Sequence, residues 1–86
     1  MNLNELRKEI DLIDEQMMEL FKKRMAVSKQ IGKVKIMMGL PIVDHTRETL
    51  ILEKRQAQLN HEELWPYYQA FLIKLFDLSK DYQHHV

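Results

Sequence analysis

Residues 17–31 read MMELFKKRMAVSKQI, and the spacing of their apolar side chains decides the fold. Apolar residues recur every three or four positions through Leu3, Leu6, Ile10, Ile13, Met17 and Leu20, and again through Val27, Ile31, Val34 and Met38. Residues three and four apart share a face of an α-helix, so the pattern predicts one long helix. Its heptad-like regularity is that of helices that pair along a seam. One step fails: position 24, where the next apolar residue is due, holds Arg24. Taken alone, Arg24 reads equally well as a polar residue that fixes the register of a helix pair, as a snorkelling side chain, or as an anion-binding group.

The ends of this helix are marked. Asn2 followed by Glu5 has the form of a capping box with Asn as the cap, and Gly39 with Pro41 supplies a stop. Gly32 lies inside the span and costs roughly 1 kcal/mol of helix propensity, too little to break a packed helix. At 1.5 Å per residue such a helix is a rod of roughly 50 Å. A compact chain of 86 residues has a radius of gyration of ~12 Å and measures roughly 30 Å across. The rod therefore protrudes from its own chain, and its uncovered seam calls for a second copy, most simply an obligate two-fold homodimer. After the loop, Asp44 can cap a second helix running to about Leu59, ended by Asn60 and His61. A third helix starts near Pro66 and carries Phe71, Leu72, Leu75, Phe76 and Leu78. The expected architecture is all-α: one helical unit, residues 1–86, of one long and two shorter helices that intertwine as a homodimer.

Composition removes several classes of function. Thirteen basic and thirteen acidic residues cancel, so no global field draws nucleic acid or an acidic membrane. Cysteine is absent, which removes disulfides, thiolate metal sites and a cysteine nucleophile. No apolar run approaches the ~20 residues of a membrane helix, and no signal-like segment is evident, so the cytoplasm is the expected location. No glycine-rich phosphate loop and no Ser/His/Asp set occurs. His84 and His85 are adjacent and point apart; His45 and His61, near helix starts, suit capping or solvation. Asp11 and Asp14 read as a solvated face, and Met17, Met18, Met25, Met37 and Met38 as adaptable core filling.

The polar exceptions form a pattern. Lys35 follows Arg24 by eleven residues, which returns to the same face within roughly 20° and about 16 Å further along. Ser79 and Gln83 occupy one face of the third helix, where its apolar stripe turns polar, and Asp44, Arg47 and Glu48 crowd the start of the second. Each taken singly has an ordinary reading as a solvated or capping residue. Together, on three helices, they suggest a closed polar pocket for a small anion.

At this point the chain resembles a known family. The segments LRKEIDLIDEQMMELFKKRMAVSKQIGKVK, GLPIVDHTRE and SKDYQ are similar in order and spacing to the all-helical class of chorismate mutases, whose bacterial forms are intertwined dimers. The match runs from Leu6 to Gln83, and the mutase unit stands without a fused second enzyme, so a monofunctional form is expected. The resemblance implies the Claisen rearrangement of chorismate to prephenate in aromatic amino-acid biosynthesis, with no cofactor and no metal. It maps the family's catalytic residues onto Arg7, Arg24, Lys35, Glu48 and Gln83, and its substrate-binding residues onto Asp44, Arg47 and Ser79. Arg7 is expected to serve the opposite protomer's site.

Helix geometry fits that last expectation. Arg7 lies about 25 Å along the rod from Arg24, too far for one small diacid to be held by both from the same straight helix. Antiparallel pairing that crosses near Met18 would bring the partner's Arg7 level with the region between Arg24 and Lys35. Arg24 and the second Arg7, with Ser79, would clamp the two carboxylates in the compact diaxial conformer. Lys35 and the Gln83 amide would donate to the ether oxygen, Glu48 would hold the ring hydroxyl with the backbone near Asp44, and Arg47 would add positive potential at the entrance. A neutral Gln83 donates without acidification, so no acidic pH optimum is expected. Two other readings compete: an isochorismate-pyruvate lyase on the same fold, and a non-catalytic helical dimerisation or regulatory module.

Overall fold

In the computed structural model, which describes residues 2–85, Asn2 and Gly39 close the two ends of a 36-residue helix, α1 (Leu3–Met38). The Asn2 side chain accepts from Asn4 N at 2.9 Å. Asn2 is thus the cap, as expected, with its side chain satisfying the second amide of the helix. Glu5 contributes as a charge in the first turn. At the other end Gly39 adopts φ +69°, with Gly39 N donating to Ile36 O at 3.2 Å and Leu40 N to Lys35 O at 2.8 Å. This pair of bonds is a Schellman motif, and it needs the left-handed conformation that glycine takes freely.

Asp44 caps α2 (His45–Leu59) as expected, accepting from Arg47 N at 3.0 Å, and Asn60 ends that helix at φ +47°. The third helix, α3 (Trp65–Gln83), begins one residue before Pro66. His61 is the reason: its Nδ1 accepts from Leu64 N at 3.1 Å and its carbonyl from Trp65 N at 3.0 Å, so the chain is already turning when it reaches the proline. Among the described residues no helix is long and apolar enough to cross a membrane.

α3 packs against both α1 and α2, which are otherwise joined only through their connecting loop. It runs parallel to α1, with Ser79 beside Ser28 and Gln83 beside Gly32. Gly32 permits this close approach, because a Cβ there would meet Gln83 Cβ and Cγ at 3.0 Å and its Cα at 3.1 Å. At equal rise along the two helices, α3 starts level with about residue 14 of α1. Leu3, Leu6, Ile10 and Ile13 therefore overhang.

The molecule measures 55 × 27 × 16 Å with a radius of gyration of 16.0 Å, as the rod argument requires. The only buried large apolar side chains among the described residues are Leu72 and Phe76. The α1 seam itself is open to solvent, with Ile10 55%, Leu20 63% and Val34 51% exposed. An apolar groove of about 590 Å³ between α1 and α3 is lined by Met17, Met18, Phe21, Phe71, Leu75 and Leu78. Total accessible surface is 7248 Å², against about 5,400 Å² for a compact chain of this mass.

Ala at an ordinary helix-interior glycine stabilises by about 1 kcal/mol. At Gly32 the sign should reverse, since the added methyl meets the Gln83 backbone and overpacking costs about 1–3 kcal/mol. Thermal melts of Gly32→Ala should show a lower midpoint than wild type; a rise matching helix propensity would contradict this packing.

Candidate active site

The second half of α1, the loop after it, the start of α2 and the end of α3 surround one cavity of about 480 Å³. Arg24, Lys35, Asp44, Arg47, Glu48, Ser79 and Gln83 all line it, seven of the eight residues singled out by the sequence. Arg7 does not. It sits on the exposed overhang of α1, about 25 Å from Arg24 along the helix.

Arg24 belongs to two environments at once, lining both the polar cavity and the apolar groove. The break in the seam is thus the point where the hydrophobic face of α1 meets the cavity. Its Nη1 is buried and has no hydrogen-bond partner among the described residues. A buried guanidinium N–H without an acceptor is costly, and an anionic oxygen satisfies it best.

The other charged groups are held by their own elements. Lys35 Nζ donates to Ile42 O at 2.9 Å, which ties the loop over the cavity and leaves two ammonium hydrogens free. Glu48, one turn into α2, is gripped by Lys80 of α3, whose Nζ lies 3.2 Å from Oε2 and 3.4 Å from Oε1. Asp44 holds the first turn of α2, so Arg47 and Glu48 project from a capped helix start. Five basic side chains, Lys23, Arg24, Lys35, Arg47 and Lys80, face two acidic ones, Asp44 and Glu48. That excess of positive charge suits a ligand with more than one negative group.

Two contributors escaped the sequence reading. Ser28 is 3% exposed and hydrogen-bonds the Ser79 hydroxyl; it also donates to Ser79 O at 3.2 Å and accepts from Gln83 Nε2 at 3.0 Å. Its signal was available, since Arg24, Ser28 and Gly32 follow at intervals of four along one face of α1. Lys80 gave no such signal, because its partner Glu48 lies 32 residues away on another helix. Gln83 itself is 6% exposed and turns its Nε2 toward Ser28 and Ser79, leaving Oε1 buried without a partner among the described residues.

This combination places a cation-rich cavity at the seam break of a three-helix chain. The chain belongs to the chorismate mutase type II family, whose sequence profile matches residues 6–84. It is 33% identical over 78 residues to the intracellular chorismate mutase of Mycobacterium tuberculosis H37Rv, covering 91% of this chain and 69% of that protein. It is 43% identical over 56 residues to the T-protein of Haemophilus influenzae, a match covering 65% of this chain and 15% of the far longer T-protein. Among solved structures, a conserved hypothetical protein from Pyrococcus furiosus superposes with a TM-score of 0.73 and 40% identity, over 94% of this chain and 93% of that one.

If Arg24 interrupts the seam for the ligand's sake, the apolar residue it displaces should be better for stability. Arg24→Leu is expected to stabilise the ligand-free protein by about 1–2 kcal/mol in denaturant titrations, as replacement of buried charge by packed hydrocarbon commonly does. A fall in stability would mark the guanidinium as a structural part of the seam.

Proposed function

We propose that the chain is a chorismate mutase, converting chorismate to prephenate for aromatic amino-acid biosynthesis, and that it works as a homodimer in the cytoplasm. The observation that carries this reading is Arg24, whose buried Nη1 has no partner among the described residues, lining one cavity with Lys35, Glu48, Ser79 and Gln83. The reaction is unimolecular, so what the protein must supply is shape and charge. Arg24 takes one substrate carboxylate through its planar fork, and the second carboxylate needs a further cation.

Arg7 of a second copy supplies it. The surface in excess of a compact chain is about 1,900 Å², more than the ~800 Å² per partner of a standard interface. The exposed seam, the apolar groove and the overhang that carries Arg7 lie along the same helix. Pairing two such helices antiparallel covers the seam and delivers Arg7 to the partner's cavity. Clamping both carboxylates selects the conformer in which the bond-forming carbons meet.

As the ether C–O bond breaks, negative charge grows on its oxygen. Lys35, with hydrogens to spare beyond its bond to Ile42 O, and the Gln83 amide donate to that oxygen, and this interaction is strongest in the transition state. Glu48, held by Lys80, accepts from the ring hydroxyl and orients the ring, with the capped turn at Asp44 beside it. Arg47, exposed at the cavity's edge, raises the local concentration of the dianion.

Ultraviolet monitoring of chorismate loss with product identification tests this reading. Prephenate should form without added metal or cofactor, with no acidic optimum. Arg24→Lys should lower kcat/KM by about 10²-fold or more, because a point charge replaces the bidentate fork. Release of pyruvate from isochorismate without turnover of chorismate, or near wild-type rates in Arg24→Lys, would contradict it.

A further inference from the structure

Gln83 presents a puzzle of hydrogen atoms. Its Nε2 lies 3.0 Å from Ser28 Oγ and 3.3 Å from Ser79 Oγ, and because those two oxygens are themselves hydrogen-bonded, one N–H is shared between them. Its Oε1 is buried with no partner among the described residues. This arrangement leaves a buried acceptor unsatisfied, a costly state. A half-turn about the last side-chain torsion removes that cost. It sets Oε1 on the two hydroxyls and Nε2 where the orphan oxygen lay. Ser28 and Ser79 can serve either orientation, because each hydroxyl carries one hydrogen and two lone pairs.

We propose that Ser28 is a positioning residue: with Ser79 it forms a two-hydroxyl cradle that can take Gln83 Oε1 when the amide reverses, which frees Nε2 to donate both its hydrogens, one of them to a ligand oxygen. Ser28 suits this work by its place. It is 3% exposed, lies on α1 between Arg24 and Gly32, and is bonded to the Ser79 hydroxyl of α3. In the reversed state one of the hydroxyl hydrogens passes from its present acceptor to Gln83 Oε1. No proton leaves the set. Gly32 completes the cradle, since the missing Cβ is what allows Gln83 to sit against α1 at this level. An alanine at position 28 would fill nearly the same volume and hold the helices together, but only Ser79 would then be left to receive the amide.

The inference rests on the proposed mutase reading for the identity of the accepting oxygen. Wild-type turnover of chorismate tests that reading alone, and a double-mutant cycle tests the cradle. Ser28→Ala should lower kcat about 2- to 10-fold, the range of a single neutral hydrogen bond, with KM little changed, because the charge on the ether oxygen develops only in the transition state. In a Gln83→Ala background the same change should have no effect on kcat. Equal losses in both backgrounds would mean that Ser28 acts through packing, and would overturn the assignment.

The pH profile supplies a second measurement that packing alone would not move. In Gln83→Glu the introduced carboxyl must be protonated to donate, so activity falls as pH rises through its pKa. A hydroxyl donating to the ionised carboxylate holds that pKa down. Adding Ser28→Ala should therefore shift the descending limb to higher pH. Arg24 and Lys35 from α1, Asp44, Arg47 and Glu48 from the start of α2, and Lys80 from α3 are common to both variants and cancel in the comparison. An unmoved limb would overturn the proposal.

Discussion

Thirty-six residues of α1 face only nineteen of α3, and this mismatch of lengths governs the rest of the molecule. Hydrophobic burial is proportional to area, so a helix whose apolar seam runs its whole length remains unsatisfied wherever no partner reaches it. α3 packs on the face of α1 that carries Ser28 and Gly32, and α2 packs on α3, leaving the seam in water both on the overhang from Leu3 to Ile13 and beside α3 at Met17, Leu20, Val27 and Ile31. The same overhang carries Arg7 beyond reach of its own cavity. A second copy is the simplest object that remedies both deficits, because the surface it would bury and the cation it would contribute lie on one helix.

Within the covered part, the contact between α1 and α3 couples stability to chemistry. Gly32 gives up helix propensity, and in return α3 comes close enough for Ser28, Ser79 and Gln83 to share hydrogen bonds. Arg24 interrupts the seam, and its buried Nη1 has no partner among the described residues. Both choices are poor for packing alone. They make sense together as the wall of a cavity that an anion completes, and a lone dimerisation seam would have no use for them.

The architecture was legible because it rests on periodicity. Apolar spacing, with Asp44, Gly39 and Asn60 as local caps and stops, depends on residues close in sequence, and the three helices fall where that spacing puts them. The candidate site was legible in part for the same reason: a charged residue in an apolar stripe is visible without knowing what it faces. Lys80 was hidden because its meaning comes from Glu48 on another helix. Ser28 carried only a positional signal, midway between Arg24 and Gly32 on one face of α1, and a serine on a helix gains meaning from the buried amide against it. The cap at Asn2 and the start of α3 near Pro66 fall where expected, and what the pattern does not rank is which backbone amides Asn2 and His61 take as partners.

Sharing of a site between two copies is the step on which the functional account turns, and subunit mixing probes it most directly. Arg7→Ala and Arg24→Ala are each expected to be nearly inactive. Co-refolded in equal amounts, half of the dimers would be mixed and each would carry one site with both arginines intact, so about a quarter of wild-type activity should return. Activity that stays at the level of the separate variants would contradict the account, because it would place both arginines in the site of a single chain.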